Sequence, residues 1–232
     1  MRQLSRFILD TLFPPQCVSC KREGDFLCKN CVQGFKKKRI RPISFHSPVK
    51  PREFQYLDGV IYALNYAKNP QIKAAIEQFK YKFNRDLSEY FGDLIAEKLG
   101  ELTMAKNRPL QLIPVPLHRK RLYYRGFNQA EVIAKSIVKR MGPYKTQIAP
   151  VLERTRHTKQ QAKSNPWLRR HHLKGAFRLS KKFVQEAPSS GWLCFLVDDV
   201  CTTGSTLENC AKVLKENGWG KVYGLVVARA FK

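Results

Sequence analysis

CFLVDDVCTTGST, residues 194 to 206, joins an apolar run to two adjacent carboxylates, then to hydroxylic residues around one glycine. A short apolar run closed by a turn reads as a buried strand, and STLENCAKVLKENG after it as an amphipathic helix. Val197 is then expected to be the last buried residue of the strand, with Asp198 and Asp199 beyond it. In a parallel sheet ligands sit outside the carboxyl ends of the strands, so the pair would stand at the rim of a site. The glycine, the hydroxyls and the N–H groups of the helix start can surround a phosphate. The carboxylates suit either two sugar hydroxyls or a metal ion bridging to a pyrophosphate. Sugar and phosphate together point to a phosphorylated ribose; the plain alternative is a capped helix start with exposed acids.

The flanking sequence fits an α/β domain. YLDGVIYALNY (56–66) reads as a strand, PQIKAAIEQFKYK (70–82) and RDLSEYFGDLIAEKLG (85–100) as amphipathic helices, and LQLIPVPL (110–117) as a short buried strand. NQAEVIAKSIVKRM (128–141) is the following helix, WLCFLV (192–197) a strand and KVYGLVVARAF (221–231) the closing strand. Such alternation argues for a mainly parallel sheet flanked by helices. Between Arg154 and Lys174 lies a basic segment with little periodicity.

Seven cysteines are present, four of them in CVSCKREGDFLCKNC as Cys17, Cys20, Cys28 and Cys31. Each CxxC turn aims two thiolates at one point, and two turns complete a tetrahedral shell for Zn²⁺. Two disulfides are the alternative, and they need an oxidising compartment of which the sequence gives no sign. Four thiolates leave no open coordination position, so the metal would be structural. Residues 1–50 are therefore expected to form a zinc module with a basic linker, and 51–232 the α/β domain. Cys194 and Cys210 read as small hydrophobes, and Cys201 as a loop residue whose pKa a helix N-terminus could lower.

Against 43 Lys and Arg stand 18 Asp and Glu, a formal net charge of +25. That exceeds what solubility requires and makes a polyanion the expected partner. Lys36, Lys37, Lys38, Arg39 and Arg41 cluster after the cysteines, either as a solvated linker or as a nucleic-acid contact. Aromatic and basic residues interleave in FKYKF (79–83) and RKRLYYRGF (119–127), offering planes for unpaired bases and cations, including Lys80, for phosphates. Core packing is the alternative for Phe79, Tyr81 and Phe83. No apolar run approaches the about 18 residues of a membrane span, and MRQLSRFILDTLFPP has too short an apolar core for a signal peptide. A cytoplasmic protein is expected. Leu4, Phe7, Ile8 and Leu12 mark a short helix, packed on the next module or lying on a membrane surface.

The stretch at 194–206 resembles the phosphoribosyl pyrophosphate (PRPP) motif of type I phosphoribosyltransferases. That resemblance implies ribose hydroxyls on Asp198 and Asp199, the 5′-phosphate on Thr202, Thr203, Gly204, Ser205 and Thr206, and Mg²⁺ accompanying any PRPP. PVPLHRKRLYYRGFNQAEVIAK (114–135) leaves a strand through a basic loop into a helix, the place where these enzymes hold pyrophosphate. Arg121 and Arg125 could make charge-assisted contacts there, while Arg125 and Asn128 could equally be a loop anchor and an N-cap.

PVPL with a following arginine and RGFNQA, behind a four-cysteine module, resembles the ComF (competence protein F) family. Further matches are Phe79, Lys80 and Tyr81; Thr158 and Gln161; Arg169; and Gly175, Ala176 and Phe177. His172 stands where that family usually has asparagine, and with His171 it is assigned no role. The resemblance implies DNA uptake and cytoplasmic handling of single-stranded DNA in natural transformation, with a DNA-translocating helicase or recombination mediator as partner. The basic segment carrying Arg169 then reads either as a closing loop or as a clamp for DNA. A PRPP-dependent phosphoribosyltransferase of unknown acceptor is the competing reading. Thr202 stands where 6-oxopurine enzymes carry an aspartate, which argues against guanine or hypoxanthine salvage. An adaptor whose ribose site is vestigial is the third reading.

Overall fold

The structure is a computed structural model, described here for residues 14–37, 54–65, 70–81, 86–101, 108–156, 175–181 and 191–230, without the side chains of 35–37 and 81. Leu4, Phe7, Ile8, Leu12, Lys38, Arg39, Arg41, Phe83, Thr158, Gln161, Arg169, His171 and His172 lie outside the described residues, as do the side chains of Lys36, Lys37 and Tyr81.

Five strands form one parallel sheet in the order β1-β7-β6-β2-β3: β1 (Gly59–Asn65), β2 (Leu110–Pro114), β3 (Thr146–Ile148), β6 (Leu193–Cys201) and β7 (Val222–Arg229). The helices are α1 (Lys29–Lys37), α2 (Pro70–Tyr81), α3 (Leu87–Gly100), α4 (Arg119–Arg125), α5 (Gln129–Met141) and α6 (Ser205–Glu216). A separate antiparallel ribbon pairs β4 (Leu152–Arg154) with β5 (Phe177–Leu179). The expected α/β architecture is thus present.

Side chains alternate across each strand, and both faces of the sheet are covered. Phe195 and Val197 of β6 with Tyr223, Leu225 and Val227 of β7 pack under Ile72, Ile76 and Phe79 of α2, Phe91 and Ile95 of α3, and Ile133 and Ile137 of α5. Cys194, Leu196, Val222 and Val226 face Leu207, Cys210, Ala211 and Leu214 of α6, together with Leu152 and Phe177 of the ribbon. The small hydrophobe reading of Cys194 and Cys210 is therefore correct. Phe79 is fully buried, edge-on to Phe91 at 5.3 Å and tilted against Phe127 at 5.6 Å, so it packs in the core and is closed to bases. Cys17, Val18, Leu27 and Cys28 belong to the same apolar cluster as α2 and α3. Where α3 meets α5, a Cβ on Gly92 would lie 2.4 Å from Ser136 Cβ, so only glycine allows this crossing.

Three expectations need correction. Val197 does not end the buried part of β6: the strand continues to Cys201, because Asp198, Val200 and Cys201 pair with Val226, Ala228 and Arg229 of β7, and Asp199 and Cys201 are buried. Cys201 accordingly lies in the strand, and burial raises its pKa to about 11. The basic stretch after β2 is not a plain loop but contains α4, started by His118, whose Nδ1 accepts from Lys120 N at 3.2 Å.

Candidate functional site

Two adjacent crossovers build the site. β6 and β2 are neighbours, so the turn after Cys201 and the segment after Pro114 leave the same edge of the sheet at the carboxyl ends of its strands. Asn128 caps α5 by accepting from Ala130 N at 3.1 Å and ties back to the strand by donating to Val115 O at 3.1 Å. The expected N-cap role of Asn128 is thus present. Arg125 donates to Gln129 Oε1 at 3.2 Å, whereas Gln129 Nε2 is buried with no hydrogen-bond acceptor among the described residues.

The loop after β6 is short and hydroxyl-rich. Gly204 has φ +75°, a conformation that strains any residue with a Cβ. Thr203 Oγ1 and Ser205 Oγ are 2.8 Å apart, and Ser205 N donates to Thr203 Oγ1 at 3.4 Å. Glu208, one turn into α6, accepts three backbone N–H groups: Gln55 and Tyr56 on Oε1 at 2.7 and 2.9 Å, and Leu57 on Oε2 at 2.9 Å. The segment entering β1 is thereby fixed against the start of α6.

Alternation along β6 separates the two acids. Asp199 shares a face with Phe195 and Val197, under α2, and its Oδ1 lies 3.0 Å from Lys80 Nζ. Asp198 shares the face of Leu196 and accepts from Asp199 N on Oδ1 at 2.8 Å. Burial, reinforced by the neighbouring Asp199 charge and opposed by Lys80 and Arg154, pushes the Asp198 carboxyl up to about 7. Burial lowers the Lys80 pKa but Asp199 and Asp198 more than offset it, so its ammonium is held charged; Arg125 opposes them. Arg154 lies over the Phe177 ring at 5.3 Å, and its pKa is lowered by burial and by Arg121. Two carboxylates thus stand among Lys80, Arg121, Arg125 and Arg154, a surplus of positive charge that suits an anion.

Lys80, expected as a DNA contact, lies on Asp199. Arg154, Gln129 and Glu208 join the site without a sequence motif of their own that points to them. The Gly175-Ala176-Phe177 motif held the one available clue to Arg154, since Phe177 is the ring beneath it.

The four cysteines form a separate centre. Cys17 and Cys20 lie on a turn in which Lys21 N donates to Cys17 O at 2.9 Å and Lys21 has φ +65°. Cys28 precedes α1 and Cys31 lies in its first turn. All four Sγ atoms fall within 4.8 Å of one another, with Cys20 and Cys28 3.6 Å apart. A tetrahedron of Zn–S bonds has sulfur–sulfur edges of about 3.8 Å, so the set is placed to hold one such ion. Burial raises the Cys17 thiol, but the Cys20, Cys28 and Ser19 N–H groups together outweigh it and bring it down to about 6. A Ser19 hydrogen bond lowers the Cys31 thiol, but burial and its cysteine neighbours outweigh it and push it up to about 12.

Among the described residues, no helix is long and apolar enough to cross a membrane. No protein-family model matches the chain. The DNA utilization protein YhgH of Salmonella typhimurium is 31% identical over 210 residues, 88% of this chain and 78% of that protein. Competence protein F of Haemophilus influenzae is 30% identical over 159 residues, 67% of this chain and 66% of that protein. Competence protein ComFC of Bacillus subtilis is 25% identical over 215 residues, 87% of this chain and 78% of that protein. With the Salmonella protein matched over most of both lengths, the chain belongs to the competence protein F and DNA utilization protein YhgH family.

Proposed function

We propose that the protein handles single-stranded DNA in the cytoplasm after its uptake in natural transformation, and that it binds a phosphorylated ribose, free or in PRPP, at the loop after β6. The names of its relatives, competence proteins and DNA utilization proteins, support this reading. The observation that carries it is α4. Tyr123 and Tyr124 are 86% and 75% exposed, edge to face at 5.9 Å, on a helix that also carries Arg119, Lys120, Arg121 and Arg125. Exposed rings among cations provide stacking for bases and neutralisation for the phosphates between them. Arg121 and Arg125 connect this surface to the acids of β6 through Arg154 and Lys80.

In this reading Thr202, Thr203, Gly204, Ser205 and Thr206 take the 5′-phosphate and Asp198 a ribose hydroxyl. Lys36, Lys37, Lys38 and Arg169 extend the contact with the strand. Zn²⁺ on Cys17, Cys20, Cys28 and Cys31 orders the N-terminal module against α2 and α3. A DNA-translocating helicase or a recombination mediator receives the strand. The second reading, a PRPP-dependent transferase with an unknown acceptor, draws on the same acid and phosphate-loop arrangement.

The test is binding of oligo(dT) at near-physiological salt, with and without excess PRPP. Tyr123→Ala/Tyr124→Ala is expected to weaken binding, and PRPP to compete in the wild type but not in Asp198→Asn/Asp199→Asn. PRPP binding that leaves DNA affinity untouched, with the tyrosine variant unaltered, would move the assignment to the transferase.

A further inference from the structure

We infer that Lys80, held by Asp199, is the resident cation of the β6 site, so that a 5′-phosphorylated pentose binds there without a divalent metal ion. This rests on the sugar-phosphate reading above and adds the cation that the site uses.

Three observations carry it. First, Lys80 Nζ is 3.0 Å from Asp199 Oδ1, and the two side chains are 19% and 8% exposed. Asp199 is thus shielded by its partner, while the ammonium keeps an open side from which to meet a ligand. Second, the local balance is already positive. Lys80, Arg125 and Arg154 lie within electrostatic reach of the acidic pair, with Arg121 beside Arg154. A divalent cation entering here would be repelled by all of them, and at short range in a partly dry site that repulsion is large. Third, Gln129 is 2% exposed, with its Oε1 on Arg125 and its Nε2 donor without an acceptor among the described residues. A buried N–H₂ beside a site arginine is a donor for an acceptor that comes with the ligand, such as a phosphate oxygen.

The ion pair is also built to last. Removing one member of a largely buried pair leaves a stranded charge, so Lys80 does not leave Asp199 in exchange for a loosely bound metal. An ammonium with three donors can keep one on Asp199 and turn another to a phosphate or a ring hydroxyl. This makes Lys80 a positioning residue toward Asp199 and a direct contact toward the ligand.

The probe is ribose 5-phosphate, chosen because it lacks the pyrophosphate that would itself collect Mg²⁺. Its binding to the full chain is measured by calorimetry in EDTA and in excess MgCl₂, for wild type, Lys80→Arg and Lys80→Met. The wild type is expected to bind equally, within about twofold, in both buffers, and Lys80→Arg to keep that indifference. Lys80→Met should lose roughly tenfold in EDTA and recover on adding Mg²⁺, which then fills the vacated position; a fold change of this size is about 1.4 kcal/mol. Wild-type affinity that falls tenfold or more in EDTA would overturn the inference while leaving the sugar-phosphate reading in place. Absence of wild-type binding in both buffers would overturn that reading and the inference with it. The wild-type comparison decides even where Lys80→Met fails to fold.

Discussion

The ring of Phe54 occupies the space that a side chain on Gly204 would need: a Cβ built there would lie 2.2 Å from Phe54 Cζ. Gly204 also has φ +75°, so both conformation and contact exclude any larger residue. Gly204→Ala is expected to cost about 2 kcal/mol or more, through left-handed strain and overpacking. It should also abolish ribose 5-phosphate binding, as the loop is forced off Phe54. Thermal melting and calorimetry check both; unaltered binding would show that the loop does not hold the phosphate.

Asp198 gives the protein a pH dependence of defined sign. Its carboxyl is pushed up to about 7 in the fold against an ordinary value of 3.8. The folded chain therefore holds this proton more tightly than the unfolded chain. The resulting stability is complete at low pH and is lost as pH rises from about 4 to about 7. Asp198→Asn removes the loss, so its melting temperature should gain on the wild type by about 5–10 °C more at pH 8 than at pH 5, for roughly 2–3 kcal/mol. Equal gains at both pH values would mean that Asp198 ionises as an ordinary carboxylate. Arg154→Met should move the midpoint upward, because Arg154 opposes the shift.

Losing the cysteine centre should unsettle more than its own module. Cys17 and Cys28 share a core cluster with Ile72, Phe79 and Phe91. Wild-type protein is expected to carry one zinc per chain, read by elemental analysis, and Cys17→Ser/Cys20→Ser to carry none. The variant should melt roughly 5–10 °C lower, as for a loss of 2–3 kcal/mol in a chain of this size. Metal-free wild type with an unchanged melting temperature would contradict this.

The tyrosines of α4 separate stacking from charge. Tyr123→Ala and Tyr124→Ala should each weaken oligo(dT) binding by about 1–3 kcal/mol, leaving the melting temperature and the salt slope unchanged. Arg119→Ala should instead reduce the slope of log affinity against log salt by about 1. A tyrosine variant that alters only the salt slope would remove the stacking role.

Elements with a strong local signal were legible in the sequence. The run from Leu193 to Val197 and the helical spacing in α2, α3, α5 and α6 carry their own hydrophobic pattern, and the cysteine centre depends on two short turns. What could not be read depends on partners distant in the chain. The extension of β6 to Cys201 follows from pairing with β7, and three-residue strands such as β3, β4 and β5 are too short to leave a period. Lys80 looked like a surface cation because its sequence neighbours are basic, and only the folding of α2 over β6 brings it to Asp199. Arg154 sat in a stretch without periodicity, so nothing local distinguished it from the cations after it.

The strand order also bears on how the chain is made. β1 is translated before the other strands, yet among the described strands it pairs only with β7, which is translated after all of them. On the ribosome β1 must therefore wait, its apolar residues without a sheet partner, until β7 has emerged. Such long-range parallel pairing is slow and leaves apolar surface exposed meanwhile. Nascent chains of this protein are for that time natural clients for chaperones.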